Sequence, residues 1–99
     1  MHGQLTTVEF ESAKQRDEAL GLIGGTMQRV RSMRGFQAAY YLDVNALRII
    51  VVTIFDSEED LEAIQLEDDA LKDRVQEIGV KYLGTDRYPV IAFAEAGAP

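Results

Sequence analysis

The most constraining stretch of this sequence is Leu47 to Phe55, Leu-Arg-Ile-Ile-Val-Val-Thr-Ile-Phe, which is apolar at both parities. Successive side chains of a β-strand point to opposite faces. Ile49, Val51 and Phe55 therefore share one face, and Ile50, Val52 and Ile54 the other. A strand of this kind needs apolar cover on both sides of its sheet, whereas a sheet with one face in water alternates apolar with polar. Pro89 to Ala94 reads as a final strand with the same property, Val90, Ala92 and Ala94 standing against Ile91 and Phe93.

The rest of the chain shows what cover is available. Leu5 to Glu11 alternates as a strand, with Val8 and Phe10 on its apolar side. Ser12 opens a helix with Gln15 in the capping-box position, and Leu20, Ile23, Met27 and Val30 form its stripe. Arg31 and Arg34 suit the last turn, and Gly35 stops the helix. Gly21, Gly24 and Gly25 cost about 1 kcal/mol each inside a helix. They predict either an interruption or a close approach to the backbone. Phe36 to Leu42 is a second strand, joined through Asp43-Val44-Asn45-Ala46 to the third as a hairpin. Ser57, with Asp60 three residues on, caps the next helix. Its stripe, Leu61, Ile64, Leu71, Val75 and Ile78, includes Asp68, so a break is expected between Leu66 and Asp69. Gly79 ends the second piece, Val80 to Tyr88 reads as a loop, and residues 96–99 read as a frayed tail.

The order β-α-β-β-α-β is that of a ferredoxin-like α+β fold, an antiparallel sheet with both helices on one face. Two helices cover one face only. The loop from Val80 to Tyr88 is too short to cover the other, so a second copy of the sheet is the expected cover and a homodimer the expected state. With 99 residues, 46% hydrophobic and 27% charged, the sequence reads as one globular domain over residues 1–99.

There is no cysteine, which removes disulfides, thiolate catalysis and zinc–sulfur sites. No apolar run reaches the ~20 residues of a membrane span. Met1-His2-Gly3-Gln4 does not open a signal peptide, so the cytoplasm is the expected location. A formal charge of -7 disfavours nucleic-acid partners.

Arg34-Gly35-Phe36 after the first helix, Val51-Val52-Thr53-Ile54-Phe55, and Ser57-Glu58-Glu59-Asp60-Leu61-Glu62-Ala63 opening the second helix resemble the antibiotic-biosynthesis-monooxygenase-like family of dimeric α+β barrels. The resemblance implies sheet-against-sheet dimers with a ligand cavity between sheet and helices in each subunit. It also implies cofactor-independent oxygenation of phenols in some members, haem degradation in others, and no established activity in the rest. The tryptophan and histidine that the haem-degrading members use have no counterpart. There is no tryptophan, Ile64 and Arg74 or Val75 stand near those positions, and the one histidine is His2. No haem or other cofactor is therefore expected. Phe55 stands where the family often has tryptophan.

Tyr40, Phe55, Tyr82, Arg87 and Tyr88 are the candidate ligand-binding residues, suited to a small aromatic or phenolic ligand. Tyr40 and its neighbour Tyr41 point to opposite faces, so at most one enters a given cavity. Tyr88 is held extended before Pro89 and could close a cavity mouth. Arg87 could hold an anion or pair with Asp86. Gly21-Leu22-Ile23-Gly24-Gly25-Thr26 lacks the lysine of a phosphate loop. Asp68, Asp69 and Asp73 lack the ligand number of a Ca²⁺ site, and Asp68 has Lys72 four residues on. No residue is marked as catalytic. A ligand-sensing or assembly module of the same fold is the alternative to an oxygenase. Convergent polar groups in the cavity would favour the enzyme, and a sealed apolar wedge the module.

Overall fold

The computed structural model describes residues 1–94, and the expected tail at 96–99 lies outside them. Four strands and three helices follow in the order β1 (His2–Glu9), α1 (Ala13–Val30), β2 (Phe36–Asn45), β3 (Arg48–Phe55), α2 (Glu58–Ala63), α3 (Gln65–Glu77) and β4 (Lys81–Pro89). The strands form one sheet in the order β2-β3-β1-β4 with antiparallel neighbours throughout. This is the ferredoxin-like α+β architecture that the element order predicts.

Local chemistry sets the boundaries. Ser12 Oγ accepts from Gln15 N at 3.1 Å and Ser57 Oγ from Asp60 N at 3.1 Å, so both caps form. The hairpin is tighter than its turn residues suggest. Asp43 to Asn45 stay in β2, and Asn45 Oδ1 accepts from Leu47 N at 2.8 Å to close the turn. Gly79 follows α3 with φ 89°, a left-handed stop that a side chain would strain.

The helix-side face of the sheet carries Val8, Phe10, Ile49 and Val51, packed against Ala19 and Ile23 of α1 and Leu71 and Val75 of α3. A second cluster under α2 joins Val30, Phe55, Leu61 and Ile64, with Phe36 and Phe55 edge to face at 5.6 Å. The other face presents Ile50, Val52 and Ile54, which register opposite Leu42, Tyr40 and Ala38 of β2 and Thr7, Leu5 and Gly3 of β1. Among the described residues no helix lies on that face, and Tyr40 and Leu42 are exposed on it.

Four expectations are corrected. The last strand is Lys81–Pro89, where a loop was expected, and residues 90–94 are irregular, held at their start by Val90 N on Met1 O at 2.9 Å. β4 earns its place by pairing with β1, with a register shift between Thr7 and Val8 that leaves one residue of β4 unmatched. The helical break falls at Ile64, ahead of the expected Leu66 to Asp69. There Ile64 is fully buried, anchoring the joint between α2 and α3. The α1 helix runs unbroken through Gly21, Gly24 and Gly25, and a Cβ at any of them would meet nothing within 4 Å, so neither an interruption nor a close contact explains them. Finally, α1 ends at Val30 with Arg29 in its last turn, Arg31 as its cap, and Arg34 beyond it.

Candidate functional site

Polar side chains interrupt the helix-side face at the end where β1, β4 and α3 meet. Gln4 and Thr6 share the parity of Val8 and Phe10 and are also buried, Gln4 being 3% exposed. Burial of an amide is tolerated only when its groups are bonded. Both ends of Gln4 are. Its Nε2 donates to Asp68 Oδ2 at 2.7 Å, and its Oε1 accepts from Arg87 Nε at 2.7 Å. Arg87 Nη2 donates further to Gln65 Oε1 at 2.7 Å, and Gln65 Nε2 to Asp69 Oδ1 at 2.9 Å. A chain of hydroxyls runs beside this network, with Tyr82 OH 3.1 Å from Thr85 Oγ1 and Thr85 Oγ1 3.2 Å from Thr6 Oγ1.

These groups line two neighbouring spaces. An inner cavity of about 20 Å³, room for about one water, is walled by Val8, Ile23, Met27, Val51, Leu71 and Val75, with Gln4, Thr6, Thr53, Asp68 and Tyr82 as its polar side. An open cleft of about 470 Å³ lies outside it between α3 and β4, bordered by Gln65, Asp68, Asp69, Lys72, Tyr82, Gly84, Thr85 and Arg87. Asp68 and Tyr82 belong to both. Burial pushes the Asp68 carboxyl above its usual range, while the Gln4 donor and the Arg87 charge pull it down and Asp69 and Glu67 raise it. A carboxylate so placed is a stronger base than a solvated one, at the rim of a space large enough for a ring system.

The five candidate residues are separated by the fold. Tyr82 and Arg87 come together at the cleft. Phe55 is 0% exposed inside the cluster under α2 and does not border the cavity. Tyr40 and Tyr88, each 58% exposed, lie on the opposite face of the sheet, Tyr88 pairing across from Gly3. Tyr88 is therefore away from the cavity mouth it was expected to close. Arg87 bonds to two amides instead of pairing with Asp86, and Lys72 sits 5.4 Å over the Tyr82 ring instead of beside Asp68. The enclosed space is also far smaller than the several hundred Å³ of a typical ligand pocket; the open cleft beside it reaches that size, as do two other surface clefts that Tyr40 borders.

Gln4, Thr6, Gln65, Asp68 and Thr85 were not among the sequence candidates. The signal was present for three of them. Gln4 and Thr6 continue the buried parity of Val8 and Phe10, and Asp68 falls on an apolar helical stripe. Among the described residues no three His, Asp or Glu side chains come together to share a metal ion.

Neither a family model nor a curated protein matches the sequence. Solved structures do match the fold. Two are each described as a "putative antibiotic biosynthesis monooxygenase". The one from Deinococcus radiodurans is 15% identical with a TM-score of 0.82, covering 96% of this chain and 97% of that one. The one from Nitrosomonas europaea is 10% identical with a TM-score of 0.76, covering 93% and 100%. A third is a dimeric ferredoxin-like protein from an uncultured marine organism, 16% identical with a TM-score of 0.66, covering 96% and 92%. The chain shares their fold over nearly its whole length, in agreement with the resemblance read from Arg34-Gly35-Phe36 and the Ser57 helix start.

Proposed function

We propose that this chain forms a homodimer through the open face of its sheet, and that each subunit takes a small aromatic hydroxyl compound into the cleft for direct reaction with O₂. The observation that carries the chemistry is Asp68, a carboxylate raised by burial and held by Gln4 at the junction of cavity and cleft. Convergent polar groups favour an enzyme over a sealed, non-catalytic module. The names given to the Deinococcus and Nitrosomonas structures agree with that choice.

The chemistry asks little of the protein. Asp68 accepts the phenolic proton, and the resulting phenolate is electron-rich enough to react with O₂. One oxygen atom becomes a carbonyl at the ring carbon para to the hydroxyl. The other leaves as water with the two hydrogens lost, and the substrate supplies all four electrons. The Tyr82–Thr85–Thr6 hydroxyls are placed to return protons to the departing oxygen. A positioned base contributes roughly 10²–10⁴-fold in rate. With 1-naphthol as substrate, an oxygen electrode should record uptake matched by 1,4-naphthoquinone formation, and Asp68→Asn should lower the rate at least about 100-fold. No uptake across a panel of phenols with a free para position, by a protein shown to be folded, would leave the sensing or assembly module as the better reading.

The dimer rests on the open face, where Tyr40, Leu42 and Tyr88 are exposed beside Ile50, Val52 and Ile54. The dimeric state named for the marine ferredoxin-like protein agrees with it. Sedimentation equilibrium should return twice the chain mass of 11.0 kDa; a single-chain mass at micromolar concentration rules the dimer out. Without cysteine or a membrane-crossing helix among the described residues, the cytoplasm is the proposed compartment.

A further inference from the structure

The cleft holds two cations that no carboxylate among the described residues neutralises by contact. Among the described residues, ion pairs within 4.0 Å join Arg16 to Asp43, Arg29 to Glu67, Arg48 to Glu9 and His2 to Glu58, and none includes Arg87 or Lys72. This is unexpected beside Asp68 and Asp69. The cause is Gln4, which stands between Asp68 and Arg87 and bonds to each. One buried amide therefore holds a carboxylate and a guanidinium side by side without letting them touch, and both border the cleft while Gln4 lies behind them. The Nε–Nη2 side of Arg87 is occupied by the neutral oxygens of Gln4 and Gln65. A carboxylate can pair with two parallel bonds at either the Nε–Nη2 or the Nη1–Nη2 edge, and with the first taken the second is the edge left for it. Lys72, over the Tyr82 ring in the same cleft, adds a second positive charge.

We propose that the cleft selects an aromatic hydroxy acid, its carboxylate taken by Arg87 and its hydroxyl, on the same ring, presented to Asp68. The inference rests on the cleft being the ligand site and adds the class of ligand. Gln4 then acts as a spacer that matches the separation of the two groups on the ligand. The chain's charge of -7 repels anions in general, so the selection is local to these two cations.

The test uses three naphthalenes in equilibrium binding by calorimetry: 4-hydroxy-2-naphthoate, with both groups on one ring; 5-hydroxy-1-naphthoate, with the groups on different rings; and 1-naphthol, without the acid. A hydrogen-bonded charge pair predicts that the first binds about tenfold or more tighter than 1-naphthol, and tighter than its isomer. Arg87→Gln should bring the ratio of the first to 1-naphthol close to one. Lys72→Gln, at an exposed position, should lower the same ratio by a smaller factor if Arg87→Gln does not fold. Equal affinities for the three compounds, or a ratio unmoved by either variant, overturn the selection while leaving the cleft as a phenol site. Binding of none of the three overturns both readings.

Discussion

The end of the interior beneath α2 and the end beneath α3 are filled with different materials. Beneath α2, Val30, Phe55, Leu61 and Ile64 are all at 0% exposure, and the Phe36–Phe55 ring pair completes a dry cluster. Beneath α3, the same face of the same strands carries Gln4, Thr6 and Thr53, and the packing leaves a cavity beside an open cleft. The difference shows a division of labour along β1 and β3. The α2 end is apolar throughout, whereas at the α3 end the apolar cluster of Val8, Phe10, Ile49, Val51, Leu71 and Val75 gives up some packing to hold polar groups in fixed directions.

Substitutions put that contrast to the test. The largest effect belongs to the dry end, where Phe55→Ala should cost about 3–5 kcal/mol in urea unfolding, because a fully enclosed ring leaves a hole. At the wet end Leu71→Ala, bordering an existing cavity, should cost less, about 2 kcal/mol, the low limit for such truncations. Equal losses at the two sites would erase the distinction. Gly24 lies in α1 between the two ends, and Gly24→Ala should gain about 0.5–1 kcal/mol, since nothing stands near the added methyl. A loss there would reveal a contact made only in an assembly.

The smallest effect is a dependence on pH. The folded Asp68 carboxyl lies above its ordinary value of 3.8, so folding takes up a proton between that value and the folded one. Stability from this group is therefore lost as pH rises through that window, and the cost is fully present above it. Asp68→Asn should be more stable than the parent near neutrality, by a margin that shrinks on acidification towards pH 3.8. A margin independent of pH would place the carboxyl in ordinary solvent.

Much of this arrangement could be read from residue order. The two caps, the hairpin and the apolar parity of β3 depend on neighbours close in sequence, and each formed as its local chemistry dictates. What could not be read depends on distant partners. Lys81 to Pro89 has weak alternation, with Gly84 and three charged residues, and becomes a strand only because β1 offers it an edge. Val90 to Ala94 has the stronger strand composition and stays irregular, because within one chain's described residues no strand pairs with it. The site divides the same way. Tyr82 and Arg87 attract notice as large or charged side chains, whereas Gln4 acquires meaning only when Asp68, sixty-four positions away, reaches its amide.

The unmatched residue of β4 has a consequence for that site. Tyr82 and Arg87 are five positions apart, an odd interval that would put them on opposite sides of a regular ribbon. The shift between Thr7 and Val8 resets the count, so that Tyr82 stands across from Val8 and Arg87 across from Gln4, both towards the helices. A single added step in the backbone thus does the work of a side-chain exchange. Giving Leu83 a partner, by inserting one residue into β1 between Thr7 and Val8, would restore a plain two-residue rhythm, and Tyr82 and Arg87 could then no longer look into the same room.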